Sequence, residues 1–249
     1  GSSWSSQDSE LPYESGEEGL NGVSYGNGIF VAVGDYGILT TSSDGTSWTS
    51  RTSGTSNGLN GVTYGNGTFV VVGDNGVLLT SSNGTSWDYR TSGTSVKLNG
   101  VTFGNGTFVA VGDIDYYTYY AAVVSSQDGG VSWGGDVSYV NYPLNDVAFG
   151  NGNFMVVGNL GTIYTSPDAS YWQVKSDPDV TSPLHGVSYG NGTFVAVGYD
   201  GTIIDSSDGG DSWKNRQAAE VTSSDLNGVI YGSGSFVAVG HDTGSSEGL

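Results

Sequence analysis

Four tyrosines within five residues are the most distinctive candidates for binding chemistry in this sequence. They follow two aspartates in the stretch 112–120, which reads GDIDYYTYY. Tyrosine brings flat apolar area and a hydroxyl at small entropic cost, which suits sugar stacking or contact with a protein. The alternative is a longer hairpin whose tyrosines alternate and pack on a neighbouring unit. With two tyrosines from a later link, the predicted ligand-binding residues are Asp113, Asp115, Tyr116, Tyr117, Tyr119, Tyr120, Tyr139 and Tyr142.

Catalysis and metal binding have weaker support from the residue types. Glycoside hydrolysis needs two carboxylates about 5–10 Å apart, and no pair stands out among the 25 acidic residues. Asp113 and Asp115 could give two oxygens to Ca²⁺, which takes about six to eight, so a solvated loop is the simpler interpretation. The two histidines, His185 and His241, have no ligand cluster in the sequence. We therefore expect no catalytic residue, metal or cofactor, with a glycoside hydrolase and a Ca²⁺ site as the alternatives.

Composition limits the classes of partner. The 249 residues include 6 Lys+Arg and 25 Asp+Glu, a formal net charge of −19. Such a field repels phosphate backbones and argues against nucleic acid. No apolar run is long enough to predict membrane insertion. The absence of cysteine excludes disulfides and thiolate sites. An acidic, Lys-poor chain rich in Ser, Thr, Gly and Tyr fits a secreted or cell-surface microbial protein better than a cytosolic enzyme.

The elements that would position these residues form a sequence repeat. Residues 20–48, LNGVSYGNGIFVAVGDYGILTTSSDGTSW, return 39 residues later as LNGVTYGNGTFVVVGDNGVLLTSSNGTSW. Abundant Gly, Val, Thr, Tyr and Phe predict short strands joined by tight turns, and no stretch has helical periodicity. A period of about 40 residues with four strand-like pieces is typical of a propeller blade. The units open at Leu20, Leu59, Leu98, Leu144, Leu184 and Leu226, with spacings of 39, 39, 46, 40 and 42.

The repeat predicts an all-β fold, a six-bladed β-propeller of four-stranded antiparallel blades in one domain over residues 1–249. The sixth unit is unfinished, because two strands in residues 226–240 are followed by a polar tail, residues 241–249. Gly1-Ser2-Ser3-Trp4 matches the end of the first unit. Residues 1–19 are therefore expected to supply a closing strand and a link, so that both termini share the last blade and no sheet edge is exposed.

Two segments carry a resemblance to a known family. SQDGGVSW at 126–133 and SSDGGDSW at 206–213 resemble the Asp-box (BNR) repeats of the sialidase-like superfamily. The whole unit is similar to the propeller repeats of photosystem II assembly factor-like proteins. The boxes at 42–48, 81–87 and 166–172 are one residue shorter, and Asn83 replaces the Asp of its box. The resemblance implies that each Asp ties its turn and each Trp packs between sheets, at Asp44, Trp48, Asp128, Trp133, Asp168, Trp172, Asp208 and Trp213.

The same resemblance raises the question of sialidase activity, which uses an arginine triad in that superfamily. The three arginines, Arg51, Arg90 and Arg216, each lie three residues after a box Trp in a different unit. Equivalent positions on different blades cannot converge on one carboxylate. We expect these arginines to neutralise nearby aspartates or to cover a Trp face, and we expect no sialidase activity.

A polar residue follows the opening Leu of every unit. If the first strands line a central axis, these side chains encircle the mouth of a channel, where they could hold water, an ion or a sugar hydroxyl. The alternative is that they bond backbone groups at the turn. The predicted ring consists of Asn21, Asn60, Asn99, Asn145, His185 and Asn227.

These features predict a non-catalytic extracellular binding module for carbohydrate or a cell-surface protein, acting through the loop face that bears the tyrosines. The alternative is a structural or assembly module of a larger surface protein. The chain would accordingly act as a monomer or as one unit of a longer chain.

Overall fold

A computed structural model of the protein describes residues 19–135, 140–216 and 224–242. Within these ranges the regular structure consists of β-strands and three-residue 3-10 turns, without an α-helix. Six antiparallel sheets follow one another along the chain, and they are numbered 1 to 6 here. The predicted all-β class is confirmed.

Four of the six sheets have four strands. Sheet 1 contains β1 (Leu20–Gly26), β2 (Ile29–Gly34), β3 (Leu39–Ser42) and β4 (Thr49–Ser50). Sheet 2 contains β5 (Leu59–Gly65), β6 (Thr68–Gly73), β7 (Leu78–Ser81) and β8 (Asp88–Tyr89). Sheet 4 contains β12 (Leu144–Gly150), β13 (Asn153–Gly158), β14 (Ile163–Ser166) and β15 (Gln173–Val174). Sheet 5 contains β16 (Leu184–Gly190), β17 (Thr193–Gly198), β18 (Ile203–Ser206) and β19 (Lys214–Asn215).

The other two sheets have fewer strands within the described residues. Sheet 3 contains β9 (Leu98–Gly104), β10 (Thr107–Ile114) and β11 (Ala121–Ser126), with a single bridge from Ser125 to Gly134 in place of a fourth strand. Sheet 6 contains β20 (Ser224–Gly232) and β21 (Ser235–Asp242). β21 continues into the first two residues of the predicted polar tail, because His241 pairs with Asp225 and Asp242 with Ser224. The predicted closing strand at the N-terminus lies outside the described residues.

Two turns recur along the chain, the first in all six sheets and the second in sheets 1, 2, 4 and 5, and their residues explain why the strands stop there. The Asn-Gly turn between the first two strands has positive φ at both positions, 48° at Asn27 and 81° at Gly28, a conformation that Asn and Gly adopt at little cost. The second turn, Asp35–Gly37 in sheet 1, is a 3-10 turn with Tyr36 at φ 54°. Sheet 3 replaces this second turn by the tyrosine-rich segment, so that β10 extends to Ile114.

The sheets pack face to face in chain order, and the core lies between them. We call the face that meets the following sheet the forward face and the opposite one the rear face. Between sheets 1 and 2, the forward-face residues Val31 and Val33 pack with the rear-face residues Leu59 and Phe69, all fully buried. The first strands stand side by side, β1 with β5, β5 with β9, β9 with β12, β12 with β16 and β16 with β20.

A glycine–aromatic contact closes each of these five junctions. A Cβ on Gly104 would lie 2.0 Å from Cγ of Phe149, so the ring of one sheet covers a glycine of the sheet before it. Space is the reason for glycine here, since any side chain would displace the ring. The five pairs are Gly26 with Tyr64, Gly65 with Phe103, Gly104 with Phe149, Gly150 with Tyr189, and Gly190 with Tyr231. At the same position in sheet 6, no atom of the described residues lies within 4 Å of a Cβ built on Gly232.

We expect Gly104→Ala to lower the free energy of unfolding by about 2 kcal/mol, because the added methyl must displace the Phe149 ring in a packed junction. Gly232→Ala at the uncovered equivalent position is the matched control, and it should change stability by no more than a few tenths of a kcal/mol. Urea unfolding of both variants measures the difference. Equal effects would show that the contact between the glycine and the aromatic ring does not limit which residue the position accepts.

Candidate functional site

The tyrosine-rich hairpin of sheet 3 is ordered by Asp115. The Asp115 carboxylate accepts the backbone N–H groups of Tyr117 and Thr118, each at 2.9 Å. The backbone of Asp115 also bonds Tyr119 and Tyr120, at 2.8 and 2.9 Å. The N–H of Thr118, followed by that of Tyr117, lowers the pKa of Asp115, because hydrogen bonds to a carboxylate favour its charged form. The hairpin therefore presents its side chains from a defined turn.

Three of the four tyrosines project from this hairpin into solvent. Tyr116, Tyr117 and Tyr119 are 77%, 86% and 68% exposed. Their rings contact one another, with Tyr116 5.5 Å from Tyr117 in an edge-to-face arrangement and 6.4 Å from Tyr119. They do not pack on a neighbouring sheet. Only Tyr120 turns inward, and it is half-buried.

A cleft of about 780 Å³ opens between sheets 2 and 3, next to the hairpin. We call it the hairpin cleft. One wall comes from β7, from Tyr89 and from the link at residues 90–95; the other comes from β11 and the hairpin. The polar side chains that line the hairpin cleft include Asn57, Asn75, Tyr89, Arg90, Asp115 and Tyr120.

The predicted ligand residues divide between several places. Asp115 and Tyr120 line the cleft, and Tyr116, Tyr117 and Tyr119 stand on the same hairpin. Asp113 is bonded by the Asn99 amide at 3.0 Å, outside the cleft lining. Tyr142 is exposed on the link before sheet 4, also outside that lining. Tyr139 lies outside the described residues.

Sequence reasoning missed the wall that sheet 2 contributes. Tyr89 occupies the position of Ser50 in the preceding unit, and this departure from the repeat was the available signal. Arg90 is held beside it, with Nε bonded to Thr80 Oγ1 at 2.9 Å and Nη2 3.2 Å from the Asp88 carboxylate. Asn57 and Asn75 bond each other at 3.2 Å.

The three arginines lie on three different sheets, at one position of the repeat. Arg51 bonds Thr41 Oγ1 as Arg90 bonds Thr80, and Arg216 forms an ion pair with Asp205. Asp205 raises the pKa of Arg216 through its hydrogen bond and its charge. The side chains thus serve their own sheets and do not converge.

The polar residues predicted to ring the channel mouth instead link neighbouring sheets by hydrogen bonds. We call this link the clasp: an Asn side-chain amide donates one hydrogen bond within its own sheet and one to the opening Leu carbonyl of the next sheet. Asn99 Nδ2 donates to the carbonyl of Leu144, the opening residue of the next sheet, at 2.8 Å, and to Asp113 Oδ1 at 3.0 Å. Asn21, Asn60 and Asn145 do the same at 2.8–3.1 Å towards Leu59, Leu98 and Leu184. Each of these three amides also donates within its own sheet, to Asp35, Asp74 and Asn159 respectively, so all four amides bond protein atoms.

The last two members of the ring differ. His185 Nδ1 lies 3.2 Å from the carbonyl of Leu226, and its ring packs edge-on against Tyr199. Asn227 Nδ2 lies 3.1 Å from His241 Nδ1, and among the described residues no following Leu carbonyl completes its clasp. The ring is therefore complete only where another sheet follows.

The aspartates of the sequence boxes bond their own turns. Asp44 accepts the backbone N–H groups of Thr46 and Ser47, both at 2.8 Å, and the Ser42 hydroxyl at 3.0 Å. These bonds, first that from Ser47, place the pKa of Asp44 well below its usual range. Asp128, Asp168 and Asp208 bond the serines of their own boxes in the same way, and Asn83 takes the same role in sheet 2. Acids held so far towards the charged form are poor proton donors.

The tryptophans of the boxes pack inward. Trp172 is buried, and Trp48, Trp87 and Trp133 lie 6.2–6.4 Å from the rings of Phe30, Phe69 and Phe108. Trp213 joins the cluster between sheets 4 and 5 and donates Nε1–H to the Lys175 carbonyl at 3.1 Å.

Asp146 is a carboxylate that sequence reasoning missed. It stands where the other five units have glycine, so that LND replaces LNG or LHG. Its oxygens accept the N–H of Val147 at 2.8 Å and, across the junction, that of Val187 at 2.9 Å. Burial between the inner strands raises the pKa of Asp146 to about 6, and the two N–H groups oppose this rise. The single substituted glycine was a usable signal.

Metal and membrane features are absent from the parts of the chain that the structure describes. No three His, Asp or Glu side chains come together as ligands within those ranges. No helix there has the length and apolar character needed to cross a bilayer.

Comparison with known proteins gives structural relatives only. No protein-family model matches the chain, and no curated protein sequence matches it. The solved structure of YCF48 bound to D1 peptide superposes with a TM-score of 0.70 and 17% identity, over 93% of this chain and 77% of that one. YCF48 from Cyanidioschyzon merolae gives 0.64 and 15%, over 88% and 79%, and a chain of a nidogen/laminin complex gives 0.63 and 11%, over 85% and 84%. These likenesses show the fold, and the chain is a β-propeller repeat protein.

We expect Asn99→Ala to lower the free energy of unfolding by about 1–3 kcal/mol, because it leaves the Leu144 carbonyl and Asp113 without their donor. Asn227→Ala is the matched control, since that amide spans no junction in the described chain. Its cost should be below about 0.5 kcal/mol. Chemical denaturation of both variants checks this, and equal losses would contradict a clasp.

Asp146 should make stability fall as pH rises. Its folded pKa of about 6 exceeds the ordinary 3.8, so the penalty for ionisation is absent below pH 3, grows between pH 4 and 6, and is complete above that. Asp146→Gly should therefore gain more unfolding free energy relative to wild type at pH 7.5 than at pH 4, by up to about 3 kcal/mol. Asp88→Asn, an exposed carboxylate, should keep the wild-type profile. A gain for Asp146→Gly that is independent of pH would refute the assignment.

Proposed function

We propose that this β-propeller is a non-catalytic binding module that holds a basic, extended segment of a partner protein in the hairpin cleft. The observation that carries the proposal is the set of three exposed tyrosines standing beside an open cleft of about 780 Å³. Exposed apolar rings grouped on one turn are characteristic of contact surfaces.

The walls of the cleft suit a polypeptide. Tyr89 and Tyr120 offer flat apolar faces, and Asn57 and Asn75 offer amide donors and acceptors that can bond a peptide backbone. The small side chains of the link at residues 91–95 let a partner main chain approach closely. Binding in such a site combines aromatic anchors with main-chain hydrogen bonds.

Charge favours a basic segment. The chain carries a formal net charge of −19, and Asp88 already neutralises the one arginine in the cleft wall. A lysine or arginine of the partner would gain from the overall field and from stacking on exposed tyrosine faces, at about 0.5–1 kcal/mol for each contact.

The structural comparison supports the class of ligand. YCF48 superposes on this chain and was solved bound to D1 peptide, so a propeller of this shape can hold a peptide. At 17% identity the likeness transfers no contact residue, and the cleft is therefore argued from this chain alone.

The proposal also covers the repeat family, the cellular setting and the cofactor requirement. The turn-bonded Asp44 and its equivalents support assignment to the Asp-box repeat propellers. The acidic, Lys-poor composition supports a secreted or cell-surface setting in a microbe, and no Ca²⁺ or other cofactor is required for binding. Detection of the protein in culture medium, surface and cytosolic fractions of the source cell would test the setting.

Carbohydrate is the second candidate ligand. The flat, exposed faces of Tyr116, Tyr117 and Tyr119 favour it, since sugars stack on such rings. A glycan array, probed with and without Ca²⁺, separates it from the peptide proposal. Glycan binding that survives when peptides fail to bind would replace the first candidate.

The test is selection from a displayed library of random peptides, followed by affinity measurement. We expect enrichment of sequences rich in Lys, Arg and aromatic residues. Combined Tyr116→Ser, Tyr117→Ser and Tyr119→Ser should weaken binding by about tenfold to a hundredfold, which corresponds to a loss of about 1.4–2.8 kcal/mol for the three anchors together. EDTA should leave the affinity unchanged.

The matched control removes exposed tyrosines elsewhere. Tyr36→Ser with Tyr171→Ser deletes two exposed rings outside the hairpin cleft, and it should leave the affinity within about twofold. Enrichment of acidic peptides, or an equal loss in the control, would rule out the hairpin cleft as the basic-peptide site.

A further inference from the structure

The two ends of the sheet series expose faces that every internal sheet buries. On the rear face of sheet 1, Leu20, Val23 and Tyr25 are exposed, with Val23 at 63%. On the forward face of sheet 6, Val237 and Val239 are exposed, with Val239 at 62%. Within the described residues β20 does not pack on β1 as each earlier first strand packs on the next.

The repeat identifies what belongs on these faces. Val237 and Val239 occupy the positions of Val31 and Val33, which are fully buried under the rear face of sheet 2. Leu20 and its equivalents show the same contrast, because the five later opening residues are at most 7% exposed. The free forward face and the free rear face are thus the two halves of one recurring junction.

Two contacts that recur in the internal junctions are also missing at these two faces within the described residues. Among the described residues, Gly232 has open space where the five equivalent glycines are each covered by an aromatic ring, and Tyr25 is the equivalent ring that covers no glycine. Within the described part of the chain, no Leu carbonyl accepts from Asn227 as one does from Asn21, Asn60, Asn99 and Asn145, and the Leu20 carbonyl is its counterpart by repeat position. Both features match the same pairing of faces.

We propose that these faces bind each other between two copies of this chain, head to tail. The forward face of sheet 6 in one copy receives the rear face of sheet 1 in the next. Tyr25 then covers Gly232, Val23 packs on Val239, and the Asn227 amide bonds the Leu20 carbonyl. The contact repeats an interface that the chain already builds five times, so it needs no new complementarity.

The symmetry and charge of the contact predict how it behaves. Unlike faces meet, so the association is heterologous and continues into a closed ring or an open row of copies. Each copy has a formal net charge of −19, which opposes assembly, so screening by salt strengthens it. This proposal uses none of the residues of the hairpin cleft and stands independently of the peptide proposal.

Cysteine cross-linking tests whether the two faces meet. The chain has no cysteine, so every disulfide that forms must involve an introduced residue. Val23→Cys and Val239→Cys are prepared as two single variants, distinguished by a tag, and oxidised alone and mixed. Head-to-tail docking predicts a disulfide-linked heterodimer in the mixture at about ten times the yield of either homodimer. Light scattering on the wild type should show mass rising with protein and salt concentration.

A second variant tests the proposed contact between Tyr25 of one copy and Gly232 of the next. Gly232→Leu fills the open space that Tyr25 would occupy, and it should lower the heterodimer yield about tenfold while thermal unfolding in dilute solution is unchanged. Gly134→Leu, at another glycine with open space, is the matched control and should keep the wild-type yield.

Three outcomes would overturn the proposal. An intramolecular disulfide in the Val23→Cys, Val239→Cys double variant, with no heterodimer from the mixed singles, would show that each chain closes on itself. A homodimer as the main product would show an isologous contact. Absence of any cross-link, with a mass that stays constant in light scattering, would show that another partner covers the faces.

Discussion

The junction between neighbouring sheets is the constraint on which the rest of this structure depends. An internal sheet is apolar on both faces, as in sheet 2, where Leu59 on the rear face and Val70 on the forward face are both fully buried. A single sheet of this kind cannot bury its own surface, so stability comes from stacking equivalent units. The asparagine clasp adds direction, because one amide ties the turn of its own sheet to the opening carbonyl of the next. The glycine–aromatic socket then fixes how closely the two sheets approach.

Because the junction fixes most positions of the repeat, the units differ mainly at positions outside it. The hairpin that replaces the second turn of sheet 3 carries Tyr116 and its neighbours without altering β9 or the start of β10. Tyr89 lies on the short outer strand of sheet 2, far from the clasp. These two departures face the same cleft. A propeller can therefore acquire a binding surface between two blades while the buried junctions stay the same.

Asp146 shows the opposite case, a departure inside the junction. Its carboxylate bonds Val147 and Val187, so it links sheets 4 and 5 by a charged group where the other units bring backbone against backbone. Burial makes this link pH-dependent, since its pKa rises to about 6. The box aspartates are different, because exposed turn N–H groups keep Asp44 charged. Two carboxylates of one chain thus differ through their surroundings alone.

The sequence by itself determined the all-β class, the opening residue of each strand series and the turns, because apolar spacing and Asn-Gly pairs act locally within a few residues. It also marked the tyrosine hairpin as unlike its neighbours. Only the tertiary structure decided that Tyr120 turns inward, that Tyr89 shares its cleft, and that Asn99 bonds Leu144, forty-five residues away. Likewise, no local pattern could show that the half-buried Asp146 bonds Val187 of the next sheet or that Val239 is exposed. The reason is physical: the burial of a side chain and its bonding partner depend on which sheet stands opposite it.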